Sequence, residues 1–142
     1  MALIEFENYP STDTAVNANN LNHNFNELDN KIDKIVESDN NENGLYLKFE
    51  NGLMICACKV TRNISNTISW NGFYIGEVTN IPFPTNFTEL YACNIDIYST
   101  KNLWKMSGNF PSLTGTNSFY TISPEGLSGN VDFYVVAIGK WK

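Results

Sequence analysis

The chain has 142 residues but one histidine, His23, and one arginine, Arg62. A Ser-His triad, a multi-histidine zinc site or an arginine clamp on phosphates therefore has almost nothing to be built from. Glycine-rich phosphate loops, calcium-binding loops, HExxH and GxSxG are all missing. The three cysteines, Cys56, Cys58 and Cys93, are odd in number and lack CxxC spacing. That makes a poor disulfide framework and a poor zinc site. Cys56 and Cys58, two apart in an apolar run, are expected to be buried free thiols that pack as small hydrophobes. No metal and no cofactor is expected.

No apolar run approaches 18 residues, so no membrane insertion is expected. The opening MALIEFENYP has neither a basic start nor an apolar core, so no signal peptide is expected. Basic residues are scarce as well. Nine Lys and Arg against fifteen Asp and Glu leave a formal charge of −6. Nucleic-acid binding needs a basic surface to displace counterions, so it is not expected.

What remains is 42% hydrophobic, 17% charged and 13% aromatic, enough for one cored domain. The acidity is uneven. Residues 1–43 hold nine acids, two lysines and three of the aromatics; residues 44–142 are almost neutral and hold the other sixteen aromatics.

The front segment opens with an extended stretch over 1–16, broken by Pro10 and the run Ser-Thr-Asp-Thr. A helix is expected next, with Asn17 as N-cap. Apolar residues then fall at Ala18, Leu21, Phe25, Leu28, Ile32 and Ile35, a heptad a/d spacing. That stripe is narrower than the apolar face of a helix lying on its own domain. Its asparagines are poor helix formers, so it needs partners to bury it. Ile at consecutive a and d positions favours three strands over two. The alternative is a helix packed on its own β-domain. His23 falls on the outer face and reads as a solvated residue. The helix and linker are expected over 17–43, closing in ESDNNENG.

Residues 44–142 read as strands. Asn51-Gly52 is a strong hairpin signal within NGLYLKFENGLMICACKV. Further strands are expected at Phe73–Val78, Glu89–Tyr98, Leu103–Met106, Ser118–Ile122 and Val131–Ile138, split by Pro-, Gly- and Asn-rich runs. Several short strands at this spacing point to an antiparallel sandwich or jelly roll. VDFYVVAI is apolar on both faces and is expected to be central. The fold class is thus mainly β: a trimeric coiled-coil helix followed by a β-sandwich or jelly-roll-like head.

Two kinds of chemistry stay open. Glycoside cleavage needs two carboxyl groups about 5–9.5 Å apart. Glu77, Glu89, Asp96, Glu125 and Asp132 are available, but no spacing singles out a pair. Aromatic platforms are the better signal, because sugar rings stack their C–H faces on Trp and Tyr. Trp70, Phe73 and Tyr74 flank the turn Asn71-Gly72, and Trp104 follows the polar run Ser-Thr-Lys-Asn. In a β-domain such aromatics more commonly serve the core or a subunit interface. Trp141 reads as packing beside the last strand.

Three stretches carry a resemblance. ENYPSTDTAVNANNLNHNF resembles the start of many phage tail and baseplate proteins, in which an extended piece precedes NA-x-NLN and a helix. NGLYLKFENGLMICACKVT and the closing FYVVAIGKWK resemble the C-terminal heads of tail-fibre-like proteins from phages of low-GC Gram-positive bacteria. The resemblance implies a homotrimeric virion protein with an attachment segment, a three-helix stalk and a β-rich head that binds host cell-wall saccharide. It implies docking onto other virion tail, baseplate or head proteins through residues 1–16. Such a protein is made in the host cytoplasm and leaves by lysis, which suits a chain without a leader. The expected role is a non-enzymatic receptor-binding protein whose saccharide site uses Trp70, Tyr74, Trp104 and Asn109. The alternative is a purely structural virion component with no ligand.

Overall fold

A computed structural model describes residues 18–30, 34–106 and 108–142, with the backbone alone for residues 18–21. The chain divides into two compact units, Met1–Lys34 and Ile35–Lys142. The expected attachment segment, the Asn17 cap and Ile32 lie outside the described residues.

The first unit contains helix α1, Ala18–Asp29. Asn30 donates its N–H to the Asn26 carbonyl and closes the last turn at 3.0 Å. The expected seam is therefore corrected at its far end. Ala18, Leu21, Phe25 and Leu28 lie on the helix, whereas Ile35 begins a strand. The physical reason is local. Asp29 and Asn30 are weak helix formers, and the β-branched pair Ile35-Val36 suits an extended chain. Phe25 and Leu28 are 64% and 44% exposed. Twelve residues make a helix about 18 Å long, too short to persist in water without a partner.

The second unit is built of nine strands. These are β1 Ile35–Asn41, β2 Gly44–Phe49, β3 Leu53–Asn66, β4 Ile68–Trp70, β5 Phe73–Val78, β6 Glu89–Tyr98, β7 Trp104–Met106, β8 Phe119–Ser123 and β9 Leu127–Lys140. They form two antiparallel sheets, ordered β1-β2-β3-β9-β6 and β4-β5-β8-β7. The expected head boundary at residue 44 moves to Ile35, since β1 pairs with β2 through Ile35↔Phe49 and Asn41↔Gly44. Polar ESDNN hides this strand from a reading based on apolar alternation. Glu37 pins it to β2 by accepting from the Tyr46 hydroxyl at 2.6 Å and Lys48 at 2.9 Å. That hydrogen bond pushes the Tyr46 phenol up to about 12.

β3 and β9 pair along their whole length, from Leu53↔Lys140 to Asn66↔Leu127. β9 also pairs with β6, so it is central, as its two apolar faces require. Alternation sends Met54, Cys56, Cys58, Ile64, Val131, Phe133, Val135 and Ala137 inward. The sheets meet across this core, where the Phe119 ring of β8 lies edge-on to Phe133 of β9 at 5.6 Å. The proline-rich run between β5 and β6 is not a mere separator. It buries Ile81, Phe83 and Phe87, and its backbone is tied to Thr114 and Thr116. Trp141 packs against the core as expected, its indole N–H donating to the Phe49 carbonyl at 2.9 Å. The Asn71-Gly72 turn takes φ of 48° and 82°, the doubly left-handed form that favours this dipeptide.

One buried polar cluster joins the sheets. At the end of β3, Asn66 donates to Ser123 at 3.2 Å and accepts from Thr121 at 2.7 Å. All three side chains are fully buried. Asn66→Ala removes both hydrogen bonds between the sheets, while Ser123 keeps the Glu125 carbonyl at 2.8 Å and Thr121 the Gly76 carbonyl at 3.4 Å, so it should cost about 1–3 kcal/mol in denaturant unfolding at fixed protein concentration. A change within about 0.5 kcal/mol would show that this cluster does not tie the sheets.

Candidate functional site

The four-stranded sheet turns an unusually apolar face outward. Register fixes its rows. Ile68 of β4, Ile75 of β5, Ile122 of β8 and Trp104 of β7 form one row across all four strands. Trp70 pairs with Phe73 on one side of this row, and Met106 pairs with Tyr120 on the other. Trp70 and Trp104 are 46% and 52% exposed.

The expected saccharide residues are not brought together. Trp70 and Trp104 share this face, but they sit on opposite edge strands and in different rows, about 16 Å apart across three strand spacings and two residues along the strand. Tyr74 has the opposite parity and faces inward with Ser123, its cross-strand partner. Asn109 lies in the loop after β7, where its amide donates to the Ser118 hydroxyl at 3.3 Å. It lines a separate hollow of about 220 Å³ with Cys93, Lys105 and Phe110. The two tryptophans line none of the surface hollows described.

The outer face of the five-stranded sheet is graded along the strands. Near the start of β3, Leu47, Ile55, Ile138 and Ala92 form one row and Leu45, Ala57 and Val136 the next. Farther along, the rows become Lys59, Tyr134 and Asp96, then Thr61, Asp132 and Tyr98. Apolar gives way to polar.

At the polar end β6 stops at Tyr98 while β9 continues to Leu127. A hollow of about 240 Å³ opens there. Tyr98, Lys101, Asn130 and Asp132 are among its walls, and Ile64 and Leu127 among its apolar lining. Thr61 donates its hydroxyl to Asp132 at 2.6 Å, and Lys59 lies 3.2 Å from the other carboxylate oxygen. The Thr61 hydrogen bond first, then Lys59, holds the Asp132 carboxyl below the usual aspartate range. The sequence leaves Asp132 open to a catalytic reading and gives no residue-type signal for Tyr98. The available signal was its position as the last outward residue of a strand, directly before the polar run.

Comparison of the sequence with known protein families finds no match, and comparison with characterised proteins finds none either. Comparison of the fold does. The chain is similar to the P. aeruginosa R1 pyocin fibre fragment comprising C-terminal residues 323–701, with a TM-score of 0.52 and 16% identity. The match covers 88% of this chain and 32% of that one, so this chain spans about a third of the fibre fragment. An N-truncated R1-type pyocin tail fibre aligns over 88% of this chain and 98% of its own, at TM-score 0.48 and 17% identity. The fold is thus one also found in the C-terminal region of a tail fibre.

Two predictions follow from the local chemistry. Burial pushes the Cys56 and Cys58 thiols up to about 12 and about 11. At about pH 8 iodoacetamide should leave both unmodified in the folded protein and alkylate all three cysteines in denaturant; rapid native labelling of Cys56 would contradict the inward register of β3. Asp132, with its lowered pKa, contributes stability above the ordinary aspartate range, and this is lost as pH falls through the folded value. Thr61→Ala should move the Asp132 titration, followed by carboxyl carbon NMR, upward toward the ordinary value; an unmoved titration would mean that the hydroxyl is not its cause.

Proposed function

We propose that this chain forms the tip of a bacteriophage tail-fibre-type appendage. It is a homotrimer carried on the outside of the virion, and it holds host cell-wall saccharide without cleaving it. The observation that carries the reading is the pair of unlike apolar outer faces on one β unit. A two-fold dimer uses one patch twice and leaves the other wet. A ring in which each five-stranded sheet meets the next copy's four-stranded sheet covers both. The a/d residues that lie on α1, Ala18, Leu21, Phe25 and Leu28, supply a second, independent demand for self-association. The fibre-like fold and the motif resemblance supply the context, including a low-GC Gram-positive host. Residues 1–16 are assigned to docking on other virion proteins.

On this reading Trp70 and Trp104 serve packing between copies, and the saccharide is held elsewhere. Binding rather than hydrolysis is supported by the hollow at the polar end. A hydrolase needs two carboxyl groups in one cleft, one of them able to give a proton. Among the described residues lining that hollow, Asp132 is the one carboxylate, and its partners keep it ionised.

Light scattering should give three times the 16.0 kDa chain, about 48 kDa. Ile122→Glu on one face and Val136→Glu on the other should each lower that mass, because a head-to-tail contact is lost when either side is charged. A 48 kDa species indifferent to both would place the contacts elsewhere, and a folded 16.0 kDa species would end the trimer reading.

A further inference from the structure

We infer that the hollow between the end of β6 and the overhanging half of β9 is the saccharide site, and that it takes a single N-acetylhexosamine unit. This rests on the receptor-binding reading above and supplies the contacts that reading lacks. The hollow exists because two strands differ in length. β9 pairs with β6 from Lys140 back to Asp132, and Leu127–Val131 then run on with β3 alone. On the vacated side, the backbone polar groups of this stretch face no strand among the described residues, so they are open to a ligand or to water. Gly129 sits in the middle with φ of 137°, and nothing lies within 4 Å of where its side chain would begin. That leaves the backbone directly approachable from the hollow.

The walls suit a sugar. Tyr98 is 69% exposed at the lip and offers a ring face for the C–H side of a pyranose. The Asp132 carboxylate uses one acceptor position for Thr61 and one for Lys59, which leaves lone pairs for sugar hydroxyls. Asn130 accepts from Asn63 through its carbonyl oxygen at 3.2 Å, which leaves its own amide hydrogens to donate. Leu127 and Val131 keep 8% and 6% of their surface open at the floor of the hollow, a small apolar area that suits the methyl of an acetamido group. A volume of about 240 Å³ lies below the range for drug-sized ligands, so the site holds one ring.

Position fits the role. The chain enters the β unit at Ile35, opposite Phe49 and near Leu53. From Leu53 to Thr61, β3 advances about 27 Å, so the hollow lies at the end of this unit away from the entry point. It also lies at the polar end of a face whose apolar end is assigned to contact between copies. One-ring sites bind weakly, and three linked copies raise avidity by about 10²–10⁴.

The test uses the full chain, walls of low-GC Gram-positive bacteria, and free N-acetylglucosamine, N-acetylgalactosamine and glucose. Tyr98→Ala and Asp132→Asn should each weaken wall binding at least about tenfold at unchanged oligomer mass. Tyr91→Ala, an exposed tyrosine near the other end of β6, should not. Saturation-transfer NMR should show contact with an N-acetylhexosamine but not glucose, and Tyr98→Ala should abolish it. Wall binding that survives both cleft variants would overturn this site while leaving the receptor-binding reading intact. A wild-type protein that binds no wall, yet shows Tyr98-dependent transfer from the free sugar, would do the reverse. Neither wall binding nor transfer would overturn both.

Discussion

The second unit depends on one ladder, the fourteen-residue pairing of β3 with β9. It joins segments about seventy residues apart in sequence, so it is a non-local contact with a high closure cost. Its inner face supplies most of the core, from Met54 and Cys56 to Phe133 and Val135. Its outer face carries the grade from Ile55 and Ile138 to Thr61 and Asp132. At one end Asn66 hands the chain to the second sheet through a buried hydrogen-bonded cluster. At the same end β9 outruns β6 and leaves the hollow. Core, face, inter-sheet link and cleft are consequences of one long register.

That register also explains why two kinds of surface coexist on one sheet. A strand buried on both sides reads as continuous apolar sequence. β9 does so at Val135, Val136, Ala137 and Ile138, then becomes Ser128, Gly129, Asn130 at its other end. Val136 is exposed in the isolated unit while its neighbours Val135 and Ala137 are buried. A sequence apolar on both faces, in a sheet covered on one side only, leaves an apolar face that the proposed contact between copies would cover. The row Ile68, Ile75, Ile122, Trp104 leaves such a face on the other sheet.

Much of this was legible beforehand, and the failures share a cause. β5 and β6 fall on their expected limits, because Phe73–Val78 and Glu89–Tyr98 alternate cleanly between turn residues. The Asn71-Gly72 turn and the buried thiols were likewise evident from local chemistry. β1 was not, since Glu37–Asn41 carries no apolar signal and is held by pairing with β2 and by the Glu37 hydrogen bonds. The heptad spacing carries the helix through Ile35 because a heptad step and a strand start both place an isoleucine there. Residue type and nearness to turns are what point to Trp70, Tyr74, Trp104 and Asn109 as saccharide contacts. Whether Trp70 and Tyr74 share a face depends on parity in the sheet, and whether Trp104 lies near either depends on strand order. Neither quantity is local. The hollow was still less visible, because it arises from the difference in length between two strands and not from any residue in them.

The same contrast bears on how the proposed adhesion and the proposed assembly would share so small a unit. Contact between copies needs area, shape and freedom from unpaired charge, so it suits flat apolar rows and tolerates only isolated polar members such as Glu77. Recognition of a sugar needs a concave place with an aromatic lip and polar groups whose remaining lone pairs and hydrogens point outward. Flat regular ladder cannot supply concavity; an irregularity must. Here the irregularity is a strand that ends early, and the turn Ser99–Lys101 that follows brings polar groups to the rim at no expense to the core. On the proposed reading, regular pairing builds the contact between copies and its interruption builds the sugar site. A mutation in one should spare the other so long as the β3–β9 register survives.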